Sequence, residues 1–320
     1  MDAQQDTKGR QGPDHRRLAL CVSLALAVAA VSGQAAAHLG DAVYPIFELS
    51  TDELPDLHDG TLDDWDAVLP NASLDHNHFQ SWNFGFGNPI DPADMALRVF
   101  LAWHNASQTI YVGVERLDDV FVPPEPYHDG RVQFMVDGDH SGGQYWFFDA
   151  EVGEGQGRRL SLAQAQSYTA IPENPADGRL LLTPDYLAWT TRPPWGDVGA
   201  WQYGEQPNVS GMEFYVTPFD DLVYDDPVLS RRTVLEPGRI IGFQLQADDG
   251  DEPVSVSLIY ILAVPTHYAT VQDGSSSFGH SFFTENFVDG ELIPCYHGDC
   301  SRASTAVQPS SWARIKAAFR

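Results

Sequence analysis

Five tryptophans of this sequence, Trp82, Trp146, Trp189, Trp195 and Trp201, stand beside Gly, Pro, Asp, Asn or Gln, residues of loops and strand edges. An indole offers a wide apolar face and one N–H donor. Such a face suits the C–H side of a pyranose ring while neighbouring polar groups reach the sugar hydroxyls. Trp82-Asn83-Phe84-Gly85-Phe86-Gly87 and Trp195-Gly196-Asp197-Val198-Gly199-Ala200-Trp201 are the strongest platforms of this kind. Trp65 and Trp103 lie in regular patterns and read as packing residues, the commoner fate of a tryptophan. The chemistry expected of the loop indoles is stacking with hydrogen bonding and no covalent step.

A second constellation is Asp137-Gly138-Asp139-His140-Ser141-Gly142-Gly143. Oxygen-bearing side chains at alternate positions, with glycines that allow a tight bend, are what a calcium loop requires. Asp137, Asp139 and Ser141 are the candidate ligands. An EF-hand is excluded, because the twelfth position is Phe148 where a bidentate Glu is needed. A structural calcium site would need completing carboxylates from elsewhere, with Asp118, Asp119 and Asp149 as candidates. The same residues also make an ordinary acidic hairpin turn. Asp75-His76-Asn77-His78 places two imidazoles on one face of an extended segment, without a third ligand in view. His38 would offer copper an amine and an imidazole if it became the N-terminus.

No catalytic residue is assigned. The sequence has no G-x-S-x-G elbow, zincin helix or phosphate loop. Pairs of carboxylates are plentiful among 45 acidic residues, so a pair alone does not mark a glycosidase. The formal charge of −27 weighs against nucleic acid and anionic membranes as partners.

Arg16 and Arg17 precede an apolar run from Leu18 to Val31, and Ala35-Ala36-Ala37 follows. That order is the pattern of a secretory signal peptide over residues 1–37. The expected product is secreted or periplasmic, with one domain over 38–320. No later segment has the length of about 20 apolar residues that a membrane span needs. Cys295 and Cys300 then remain, and in an oxidising compartment they read as a disulfide closing a short loop.

The elements that must carry these residues are strands. Arg98–Trp103 and Thr109–Glu115 flank the turn-like Asn105–Gln108 and form an expected hairpin. Further strands are expected at Arg131–Val136, Gln144–Phe148, Met212–Val216, Ile240–Gln246 and Ser255–Val264. Helical signal is confined to Ser161–Gln166 and to Ser310–Phe319. Residues 153–211, rich in Pro, Gly and Trp, read as a long functional insertion, and 266–300 as a second loop-rich region. Many strands with few helices predict an all-β chain, an antiparallel β-sandwich of jelly-roll or immunoglobulin-like layers.

Several segments, in order, resemble the family 9 carbohydrate-binding modules and the related DOMON-like domains. They are Asp59-Gly60-Thr61-Leu62-Asp63-Asp64-Trp65, the hairpin of Leu97–Trp103 and Thr109–Val114, Asp129–Asp137, and Pro237-Gly238 through Asp248-Asp249. The resemblance spans roughly residues 55–265. It implies a β-sandwich that holds a polysaccharide or oligosaccharide between aromatic side chains, often with structural calcium. It also implies service to an enzyme elsewhere in the same polypeptide or complex, and a separate carbohydrate-active enzyme is the partner expected here. The DOMON relationship raises a haem-binding electron-transfer module as a rival reading, with Met95, Met135 and Met212 among available ligands. A secreted glycoside hydrolase and a structural surface protein are the remaining rivals.

Overall fold

The structure, a computed structural model, describes residues 43–81, 88–120, 130–142, 162–174, 177–183, 185–203, 207–250, 258–262 and 287–296. Its strands are β1 (Val43–Glu48), β2 (Leu74–Asp75), β3 (Phe79–Ser81), β4 (Met95–His104), β5 (Thr109–Asp118), β6 (Val132–Asp137), β7 (Gln166–Asn174) and β8 (Asp177–Leu182). They continue as β9 (Gly196–Tyr203), β10 (Asn208–Val216), β11 (Phe219–Asp221), β12 (Arg231–Arg232), β13 (Ile240–Asp249), β14 (Leu258–Leu262) and β15 (Val288–Ile293). One short helix, α1 (Asp63–Val68), stands out among them. No described helix is long and apolar enough to cross a membrane.

The chain is mostly β, as its pattern predicts, and its strands join in one large mixed sheet. Its strands run in the order β8-β7-β6-β13-β15-β1-β4-β5-β10-β9, with β2, β3 and β14 attached at the side. Most neighbours are antiparallel, while β1 pairs in parallel with both β15 and β4. The sheet curls until its two end strands meet. A Cβ placed on Gly178 of β8 would lie 3.0 Å from Val198 and 3.1 Å from Ala200 of β9. That contact is side-chain packing rather than a ladder, so the sheet is nearly a barrel with one seam.

Period-two alternation explains two apolar clusters on opposite faces. Val99, Leu101, Trp103, Ile110, Val112, Val114, Met212, Phe214 and Val216 point into the main interior. Their neighbours Phe100, Ala102 and Tyr111 point the other way, with Trp201 of β9. Residues 49–72 lie over that second face and bury Leu57, Leu62, Trp65 and Leu69 against it. These strands are therefore buried on both sides. Trp65 stacks on Phe100 with ring centroids 5.6 Å apart and donates its indole N–H to Glu213 at 2.6 Å.

Residues 153–211 differ from the expected insertion. Where described, they supply β7, β8, β9 and the start of β10, four members of the main sheet. Tyr168, Ala170, Leu180, Leu182, Val198 and Ala200 complete the interior. Leu162–Ala165 forms turns rather than helix, and Gln166 begins β7. The expected strand Gln144–Phe148 and helix Ser310–Phe319 lie outside the described residues, as do residues 1–42.

Candidate binding cleft at the sheet seam

The seam between β8 and β9 carries an open cleft of about 410 Å³, lined by Gly178, Arg179, Tyr186, Thr191, Asp197 and Val198. That volume falls in the range of small-molecule sites. Gly178 and Arg179 belong to β8, and Asp197 and Val198 to β9. Tyr186 and Thr191 come from the connection between them, which folds back over the seam.

That connection is fastened from below. Buried Thr190 donates its hydroxyl to the Leu180 carbonyl at 2.8 Å and lies equally close to that of Leu187. Trp189 gives its indole N–H to the Tyr224 carbonyl at 3.1 Å and meets Phe219 edge-on at 6.1 Å. Trp195 packs on the same Phe219 at 5.8 Å, and the Arg232 guanidinium lies 5.4 Å from its ring. Tyr224 also hydrogen-bonds the Asp185 carboxylate through its hydroxyl. With these side chains turned inward, Tyr186 is left outside, 57% exposed.

On the opposite wall, Asp197 accepts the N–H of Val198 at 2.9 Å through one oxygen. Its other oxygen faces His58 Nε2 at 3.4 Å. Strand register sets Asp197 opposite Tyr215, which in turn lies opposite Tyr111 on β5. The two phenol rings are 5.3 Å apart. Burial, then the Asp197 charge, pushes the Tyr215 hydroxyl up to about 12, so it remains a neutral donor at ordinary pH. The cleft thus combines one open aromatic face, a guanidinium fork, a hydroxyl and a carboxylate. These groups can grip a polyhydroxylated ring without breaking a bond.

The sequence-selected residues divide sharply. Trp189 and Trp195 are half-buried anchors of the loop that presents Tyr186. Trp201 is only 2% exposed, its ring pressed against Gly211 so closely that a Cβ there would collide with it. Its indole has no face open to a ligand, because residues 49–72 cover that side of the sheet. Trp82 and Trp146 lie outside the described residues. Trp65 and Trp103 are fully buried, as their patterns predict.

In the acidic loop, Asp137 is fully buried and uses its carboxylate to hold the turn. Its two oxygens accept the N–H groups of Ser141 at 3.2 Å and Gly142 at 2.8 Å. Asp139 accepts from Ser141 N–H at 3.2 Å, and Ser141 is exposed. Burial raises the Asp139 carboxyl, and the nearby carboxylates of Asp220 and Asp137 push the same way. Of the carboxylates that could complete a calcium site, Asp118 is paired with Arg116 at 3.0 Å, and Asp149 lies outside the described residues. Among the described residues no group of three His, Cys, Asp or Glu side chains is gathered for a metal ion.

Asp75–His78 is a 3-10 turn in which His78 Nδ1 lies 2.9 Å from Asp75 Oδ1, so this imidazole caps its own turn. Met95, Met135 and Met212 are at most 3% exposed in the packed interior. Cys295 is described, and Cys300 and His38 are not.

No family model and no curated protein matches the chain. Among solved structures it is similar to a family 9 carbohydrate-binding module from Caldicellulosiruptor kristjanssonii, seen with glucose and with cellotriose. The glucose complex is 12% identical, with 82% of this chain and 100% of that one covered at a TM-score of 0.42. The cellotriose complex is 14% identical, with 83% and 100% covered at 0.43. A carbohydrate-binding candidate from Bacteroides uniformis ATCC 8492 is 10% identical, with 79% and 99% covered at 0.35.

Sequence reasoning missed Tyr186, Arg179 and Thr191. A tyrosine within Pro184-Asp185-Tyr186-Leu187-Ala188-Trp189 carries no local mark of its own. The usable signal was indirect: the Trp-rich loop it belongs to.

Proposed function

We propose that this protein binds a carbohydrate non-covalently at the seam between β8 and β9. The observation that carries the reading is the exposed Tyr186 ring at a cleft whose other groups are Arg179, Thr191 and Asp197. A phenol ring stacks on a pyranose face, the guanidinium donates to ring and hydroxyl oxygens, and Asp197 accepts from hydroxyls. Such sites rest on a few well-placed polar groups around an apolar surface. The ordered motifs between Asp59 and Asp249 support the same reading. Trp189 and Trp195 hold its loop in this proposal, and Trp82 and Trp146 stay candidate sugar contacts.

Affinity electrophoresis in gels containing soluble polysaccharides, backed by a glycan array, tests it. Retardation that is lost in Tyr186→Ala and in Arg179→Ala is expected. Migration unchanged by any polysaccharide would overturn the proposal.

Three further parts belong to it. Export follows from Arg16-Arg17 and the apolar run behind them, and N-terminal sequencing of the mature form is expected to begin at His38. The Cys295–Cys300 disulfide is expected as a thiol count of zero in that form. A calcium ion at Asp137, Asp139 and Ser141 would raise the melting temperature on addition and lower it on chelation. The protein would act beside a separate carbohydrate-active enzyme.

A further inference from the structure

Four of the seven large hydrophobic side chains exposed among the described residues fall in one short stretch: Val223 at 40%, Val228 at 74%, Leu229 at 71% and Val234 at 59%. The first three decorate the connection between β11 and β12, and Val234 follows β12. Inside that connection, Asp226 caps the turn Pro227–Leu229 by accepting Val228 N–H at 3.1 Å. Ser230 then accepts the N–H of Val223 at 2.8 Å, which brings the two ends together. Leu222 and Tyr224 fill the core below, so Val223 points outward. A fixed apolar knob of this kind ordinarily has a partner.

Its surroundings are acidic. Asp221, Asp225, Asp226 and Glu236 are exposed around it. The local arginines are already engaged: Arg232 with the Ser107 carbonyl at 2.8 Å, Arg239 with the Val234 carbonyl at 2.9 Å, and Arg231 near Asp220 at 3.7 Å. A second copy of a chain with formal charge −27 would be repelled here. A cationic amphipathic segment would not.

The chain carries one. Residues 301–320 contain Arg302, Arg314, Lys316 and Arg320 and no acidic residue, in a protein with 45 acidic side chains. Within them Trp312, Ile315 and Phe319 recur at helical spacing. The last described strand, β15, also passes beside the knob. Leu292 of β15 accepts Gly238 N–H at 2.7 Å and donates to the Arg239 carbonyl at 2.9 Å, and Arg239 reaches Val234. From Tyr296, the residues up to 309 can span roughly 40 Å at about 3.3 Å each. We infer that the Val223–Val234 knob is the docking surface for this chain's own C-terminal segment, Ser310–Arg320.

Hydrogen exchange of the full chain, read over residues 222–234, tests the contact. Ile315→Asp combined with Phe319→Asp is expected to speed exchange there at least tenfold and leave β4 and β5 unchanged. From the other side, Val228→Asp with Leu229→Asp is expected to speed tryptic cleavage after Arg314 and Lys316 by at least tenfold. Val228 and Leu229 are exposed, so their replacement spares the core, and unchanged exchange in β4 and β5 is the check that the other variant folds. Unchanged exchange and unchanged cleavage would overturn the inference. So would protection of the knob that rises with protein concentration, which would assign it to a second copy.

Discussion

Three indoles and two phenols of this molecule occupy opposite situations. Trp65, Trp103 and Trp201 are sealed, each at most 2% exposed, whereas Tyr186 and Tyr203 are both 57% exposed. The sealed rings are held by shape: the Trp65 ring lies where a Cβ on Gly113 would come within 2.8 Å, and Trp201 fills the space left by Gly211. Glycine beside tryptophan therefore marks room made for a buried ring here, rather than a flexible loop offering one. A phenol is the better side chain to leave in water, since its hydroxyl keeps a solvent partner while its face stays free. Tyr203 spends its hydroxyl on the Gly60 carbonyl at 3.2 Å, and Tyr186 borders the cleft.

The contrast can be broken most forcefully from the buried side. Trp65→Ala removes a fully buried ring and leaves Glu213 without its indole donor. Urea unfolding should show a loss of about 3–5 kcal/mol, the usual cost of a large aromatic deletion. A loss under about 1 kcal/mol would mean that residues 49–72 are not a structural cover.

Next in size is a pH effect at the same place. Burial raises Glu213 from its ordinary 4.5 to about 8, and the carboxylates of Asp64, Asp59 and Asp56 add to the rise while the Trp65 N–H opposes it. The folded protein thus holds a proton that the unfolded chain releases above pH 4.5. Stability from this group is complete below pH 4.5, falls as pH rises to about 8, and is then exhausted. The integrated loss is on the order of 2–5 kcal/mol. Denaturation from pH 4 to 9 should show that slope, and Glu213→Gln should flatten it; an equal slope in the variant would assign it to other groups.

The open side should respond the other way. Tyr186→Ala should alter stability by no more than about 0.5 kcal/mol, as exposed substitutions do. Sugar affinity should fall at least about tenfold, the scale of a contact residue at the centre of a site. A stability loss comparable to that of Trp65→Ala would erase the distinction between the two aromatic classes. The smallest change is His58→Ala. It removes an exposed pair with Asp197, whose contribution is under about 1 kcal/mol, and should leave sugar retardation nearly intact.

The strands with clean alternation were legible in the residues. The hairpin of β4 and β5 appears with its turn where Asn105–Gln108 predicted it, and Gln108 takes the left-handed φ of 58 that such a turn needs. β6, β10 and β13 lie where their apolar alternation placed them. β7 to β9 were harder to read because Pro172, Gly178, Gly196 and Gly199 punctuate them like loops. In the fold these positions are crowded rather than mobile: Gly178 is where β8 touches β9. The cleft itself was illegible, since it exists only after the two end strands meet across the whole curled sheet. What the sequence did mark was its scaffold, through Trp189, Trp195 and Asp197.

The parallel pairing of β1 has a consequence for the order of assembly. Ribosomes deliver Val43–Glu48 first and Val288–Ile293 last, yet β15 is the slat that fits between β1 and β13. Until it arrives, the nascent chain carries a gap one strand wide, flanked by two raw ladders that face each other. Contacts so distant along the chain slow the search for the native state and prolong exposure of sticky edges. A polypeptide halted before Val288 would keep both edges bare, so clumping of truncated chains is the behaviour this topology dictates.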